Sequence, residues 1–154
     1  HRSMTGLLPQ LDFKKYLVGE VSKIINDDII IVVMLETPKA INNVEEIASV
    51  SGIDVLLVGT NDLCMEMGIP GEFNHNDVKE SYKKVIQACN NNNILPGMGG
   101  VYDETLMHEY IDLGMKFILS GSDLSFLVKG AEDRLNNLKN KSYIYDRIEF
   151  IFRF

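Results

Sequence analysis

One stretch, Ile29 to Leu63 (IIIVVMLETPKAINNVEEIASVSGIDVLLVGTNDL), limits the folds open to this chain. Ile29 to Leu35 is an unbroken, β-branched apolar run, the pattern of a strand buried on both faces of a parallel sheet. It stops at Glu36, and Thr37-Pro38 then starts a helix with Pro at its first position. The spacing predicts an amphipathic helix to about Val50, with Val44, Ile47 and Ala48 on one side and Ser51-Gly52 as its end. A second apolar run, Asp54 to Val58, closes on Gly59-Thr60-Asn61-Asp62. Two strands joined by one helix lie parallel in one sheet. Glu36 and Asp62 are therefore expected side by side at the carboxyl ends of neighbouring strands, where α/β sheets and βα barrels place their sites. Two bare carboxylates there suit a divalent cation held by oxygen. The competing reading is that each acid caps the helix that follows it.

The rest of the chain repeats the pattern. His1 to Pro9 reads as a loop, and Leu11 to Asn26 has helical spacing at Phe13, Leu17, Val21, Ile24 and Ile25. Leu63 to Gly71 reads as a loop or short turn, with Asn76 or Asp77 capping a helix to about Asn90. Asn90 to Asn93 reads as a turn. A third strand is expected over Ile94–Met98 and a fourth over Phe117–Leu119. Between them Asp103 caps a helix that Gly114 ends. A last helix, capped by Ser122 or Asp123, runs to about Lys139. The sum is a helix and then four βα units, with right-handed crossovers. That is either an open doubly wound sheet or half of a (β/α)8 barrel, since a closed barrel needs eight strands. Residues 142–154 (SYIYDRIEFIFRF) form an aromatic tail with no place in the repeat.

Composition narrows the classes. The 154 residues are about one domain's worth, 45% of them are hydrophobic, and there is no apolar run near membrane-spanning length. A formal net charge of −7 argues against a protein that tracks nucleic-acid phosphates. Cys64 and Cys89 lack CxxC spacing and are expected as free thiols in a reducing, cytoplasmic setting. The chain begins at His1 without an initiator Met, as a processed, truncated or partial N-terminus does.

The segment ETPKAINNVEEIASVSGIDVLLVGTNDL, followed by MGIPG, ILPGM and YIDLGMKFILSGSDLSFL, resembles the HpcH/HpaI aldolases. These are metal-dependent aldolases of 2-keto-3-deoxy and 4-hydroxy-2-oxo acids, in the phosphoenolpyruvate- and pyruvate-binding barrel superfamily. The similarity runs from about Ile29 to Gly130. It implies that residues 1–141 are the C-terminal half of a (β/α)8 TIM barrel, strands five to eight with their helices. Glu36 and Asp62 are implied as ligands of Mg²⁺, Mn²⁺ or Co²⁺, and the backbone of Asn61-Asp62 as the seat of the substrate carboxylate. The implied reaction is carbon–carbon lysis, the reversible aldol cleavage of a 4-hydroxy-2-oxo acid to pyruvate and an aldehyde, with the cation as Lewis acid. The implied partners are a small oxo-acid substrate and further copies of the chain, a homo-oligomer, with neither nucleic acid nor membrane.

This chain departs from the family pattern at two places. Met34 stands where many members have Gln, and Gly59-Thr60-Asn61-Asp62-Leu63-Cys64 replaces Gly-Pro-x-Asp-Leu-Ser. The family's general-base His and carbonyl-polarising Arg lie on early strands, ahead of the segment matching residue 1, so no catalytic acid–base residue is assigned here. The alternative from another class is a non-catalytic remnant or oligomerisation module. A lyase of CoA thioesters is a weaker third, because no basic patch flanks the strand ends.

Other features have plainer readings. Asp54 sits at the start of its strand, away from the site end. His75 and His108 have no ligand spacing. Gly97 to Gly100 lacks a nucleotide fingerprint and is read as glycine that lets a loop approach the site. Met65, Met67, Met98 and Met115 are read as packing filler.

Overall fold

A computed structural model describes residues 8–139, and residues 142–154, the aromatic tail, lie outside them. The β-branched runs form four strands: β1 (Val32–Leu35), β2 (Val55–Gly59), β3 (Leu95–Gly99) and β4 (Phe117–Ile118). They pair in parallel, in the order of the chain. The helices are α1 (Val18–Asp28), α2 (Pro38–Asn42), α3 (Val44–Ala48), α4 (Thr60–Glu66), α5 (Asn76–Asn92), α6 (Glu104–Leu113) and α7 (Asp123–Lys139). The chain divides into two compact units, one ending at Ile118 and the other starting at Leu119. The second contributes α7, whose Ser122 caps it by accepting from Ser125 N at 3.3 Å. None of the α7 side chains is buried.

In the first unit the strand period of two sorts residues between two faces. The row Leu35, Val58, Met98 and Ile118 crosses all four strands in register. With Val33 and Leu56 it packs against Val44 and Ala48 of α3, Val78, Tyr82, Val85, Ala88 and Cys89 of α5, and Leu106 and Tyr110 of α6. Each fully buried aliphatic side chain of this kind contributes about 1.5–3 kcal/mol. The opposite row is Met34, Leu57, Gly97 and Phe117.

Several expectations shift by a residue or a turn. The helix expected from Pro38 to Val50 is two short helices, broken at Asn43 (φ −98°, ψ 13°). Asn competes for backbone hydrogen bonds and is a poor helix interior residue. Asn90 to Asn92 extend α5 rather than forming a turn, and Asn93 ends it in the left-handed conformation at φ 54°. His75, not Asn76 or Asp77, caps that helix: its Nδ1 accepts from Asp77 N at 3.2 Å. Leu63 to Glu66 belong to α4 rather than to a loop. The first helix begins at Val18, because Asp12 and Phe13 take positive φ after a 3₁₀ turn over Pro9–Leu11. Asp103 caps α6 as expected, accepting from Leu106 N at 2.9 Å.

β1 is the largest difference. Ile29–Ile31 precede the strand, and within it Val32 is 37% and Met34 52% exposed. The apolar run predicts burial on both faces, but among the described residues β1 is an edge strand and pairs only with β2.

Candidate metal and substrate site

Glu36 follows β1 directly and is half-buried. Its side chain lies across the end of β2. A Cβ added at Gly59 would come within 2.7 Å of Glu36 Cγ and 2.9 Å of Oε1, so glycine is what lets the carboxylate rest there. The chain turns from Gly59 straight into α4, which puts Asn61 and Asp62 in the first helical turn, both exposed. Their amides are among the donors that no helix satisfies internally, and the turn favours negative charge. From the other side β3 ends at Gly99 and turns at Gly100 (φ 86°), whose missing Cβ leaves room for Asn61 Nδ2, 2.7 Å from where it would stand. The glycines after the third strand thus come close to Asn61.

Asp62 and Glu36 are accordingly brought to the same end of adjacent strands. Among the described residues neither carboxylate has an ion-pair partner. Among the same residues no group of three or more His, Cys, Asp and Glu is arranged to hold a metal. Two carboxylates with no softer donor beside them could hold a hard divalent cation, with positions left open for a chelating ligand.

The residues set aside fall elsewhere. Asp54 lies at the opposite end of the sheet, where its Oδ2 accepts from Ile31 N at 2.7 Å and its carbonyl from Leu95 N at 2.8 Å. His108 is exposed on α6, and Asp123 binds the amide of Leu124. Cys64 and Cys89 are free and buried, and burial pushes both thiols up, Cys89 to about 11. A cavity of about 470 Å³ opens on the helix side between Pro38, Ile41, Glu66, Met67 and Lys84, and neither Glu36 nor Asp62 lines it. No helix among the described residues is long and apolar enough to cross a membrane.

Sequence reasoning passed over a buried polar chain under the site. Thr60 is fully buried, donates from Oγ1 to the carbonyl of Gly99 at 2.8 Å, and sits 2.7 Å from Tyr82 Oη. A GTND segment carries no sign that its Thr points inward. The clue was Tyr82, placed on the apolar stripe of α5, because a buried tyrosine hydroxyl needs a partner.

The family model for HpcH/HpaI aldolase/citrate lyase matches residues 10–130. This chain belongs to that family. It is 35% identical over 135 residues to the 4-hydroxy-4-methyl-2-oxoglutarate aldolase cghB of Chaetomium globosum, a match covering 86% of this chain and 50% of that protein. It is 33% identical over 107 residues to the 4-hydroxy-2-oxo-heptane-1,7-dioate aldolase of Klebsiella pneumoniae, covering 70% and 40%. Among solved structures, the HpcH/HpaI aldolase from Desulfitobacterium hafniense superposes with a TM-score of 0.69 at 28% identity, over 84% of this chain and 50% of the other. A Burkholderia cenocepacia family protein, at 24% identity, adds to the fold alone: TM-score 0.73, over 90% of this chain and 53% of that one. This HpcH/HpaI chain spans about half the length of the curated relatives it matches. Its four parallel strands with their helices are half of a (β/α)8 barrel.

Proposed function

We propose that this chain supplies the metal and substrate-carboxylate half of an aldolase site that cleaves 4-hydroxy-2-oxo acids to pyruvate and an aldehyde. The observation that carries this reading is the Glu36 carboxylate laid over Gly59, three residues ahead of Asp62, with both acids free of ion-pair partners among the described residues. Glu36 and Asp62 would hold Mg²⁺, Mn²⁺ or Co²⁺. When bound, the cation supplies a Lewis acid for the oxygens of a 2-oxo acid. The amides of Asn61 and Asp62, at the start of α4, would donate to the substrate carboxylate. The named relatives support the substrate class, since both bear a 4-hydroxy-2-oxo acid in their names.

The test is a titration of the chain with Mn²⁺, with and without oxalate as a mimic of the pyruvate enolate. Binding that oxalate tightens, and that Glu36→Ala or Asp62→Ala abolishes, is the expected result. A folded chain that binds no Mn²⁺ overturns the reading. The exposed edge of β1, with Val32 and Met34 uncovered, favours a second reading as an assembly module that joins copies of the chain. A concentration-dependent oligomer without Mn²⁺ affinity would select it.

A further inference from the structure

Asp62 is exposed and its side chain makes no hydrogen bond or ion pair among the described residues, so its position depends on what holds the first turn of α4. α4 is seven residues long, and its N-cap, Gly59, offers no side-chain cap. Thr60 opens it, and Thr, unlike Pro, does not fix φ at the first helical position. What holds the turn is a buried hydrogen-bond chain. Thr60 has one hydroxyl proton and spends it on the carbonyl of Gly99 at 2.8 Å, so the 2.7 Å bond to Tyr82 must be donated by the tyrosine. The chain therefore runs Tyr82 Oη to Thr60 Oγ1 to Gly99 O, from α5 through the start of α4 to the end of β3. Both side chains are fully buried, and Tyr82 is further fixed by its stack on Tyr110, with centroids 4.0 Å apart. Burial also lifts the Tyr82 hydroxyl to about 12, so it remains a donor at any working pH.

We infer that Thr60 and Tyr82 are positioning residues for the carboxylate half-site: their hydrogen bonds fix the first turn of α4 and so hold Asp62 at the sheet end it shares with Glu36. This rests on the metal reading proposed above. Tyr110 provides an internal control. Its side chain is equally buried and its hydroxyl donates to the carbonyl of Phe73, in the loop that follows α4 and not at its first turn, so its loss should cost stability without disturbing Asp62.

The experiment measures Mn²⁺ affinity, with melting temperature alongside, for the wild-type chain, Tyr82→Phe, Tyr110→Phe, Thr60→Ser, Thr60→Val and the double variant Thr60→Pro/Tyr82→Phe. Tyr82→Phe and Thr60→Val should weaken Mn²⁺ binding on the order of tenfold, the lower end of what outer-shell changes cost. Thr60→Ser keeps the hydroxyl and Tyr110→Phe spares the first turn of α4, so both should bind as wild type. The double variant supplies the proline restraint instead and should recover wild-type affinity. If Tyr82→Phe fails to fold, Thr60→Val against Thr60→Ser decides the matter alone. Wild-type binding that Tyr82→Phe and Thr60→Val leave unchanged overturns the inference and spares the metal reading. Equal weakening by Tyr82→Phe and Tyr110→Phe, tracking lost melting temperature, overturns it in favour of packing. No binding by the folded wild type strikes the metal reading first and removes the inference with it.

Discussion

β1 and β2 have nearly the same composition, VVML against VLLVG, and opposite surroundings. Every residue of β2 is buried, whereas β1 buries only Leu35. The difference lies in their neighbours. Among the described residues β2 pairs on both sides, with β1 and β3, and β1 pairs on one side only. An apolar run thus specifies that a segment is a strand, while its rank in the sheet decides how much that segment contributes to stability. The two acids inherit the contrast, since Glu36 hangs from the edge strand and Asp62 follows the central one.

The sharpest way to break the comparison is truncation. Leu56→Ala, in the central strand, should cost about 2–5 kcal/mol, and Val32→Ala, at the edge, less than about 1 kcal/mol. Urea unfolding of the two variants checks this, and equal losses would mean that β1 is covered in solution. Alkali probes the same core from its polar side. Burial raises Cys89 from 9.0 to about 11 and Tyr82 from 10.0 to about 12. Both groups favour the protonated form in the folded chain, so their contribution is fully present below pH 9 and 10 respectively. It is lost as pH climbs through 11 and 12, by roughly 1–3 kcal/mol for each group. Denaturant curves at pH 7, 9 and 10.5 should show a plateau and then a fall, and a flat profile would contradict the burial of both groups.

Next in size is Gly59→Ala, which forces Glu36 off the end of β2. It should weaken Mn²⁺ on the order of tenfold, with a shift of only a few degrees in melting temperature. The smallest effect belongs to Asp54→Ala, which removes the bond that ties Ile31 N to the start of β2. About 1 kcal/mol is expected, seen as faster amide exchange at Ile31 while Leu57 stays protected.

How much of this was legible depended on whether a residue's role is local. Asp103 as a cap, Asp54 at the far end of the sheet and the four strand positions follow from patterns a few residues long, and all appear in the structure. Glu36 and Asp62 could be placed at one sheet end because parallel crossover fixes strand direction. Exposure of β1 could not be read, because it depends on which strand is an edge. The α4 turn hid in GTND, which has the composition of a loop. The Thr60–Tyr82 bond joins residues 22 apart in the chain, and no local rule pairs them. His75 was missed as a cap because imidazole seldom takes that place, and here it does so through Nδ1.

The strand order carries a kinetic consequence. Each strand's partner is the next strand in the chain, so the sheet grows by adding one βα unit at a time to an edge already formed. Among the described residues no strand waits for a segment beyond its immediate successor, which keeps loop-closure entropy low at every step. A chain segment of this topology can acquire structure in the order in which a ribosome releases it.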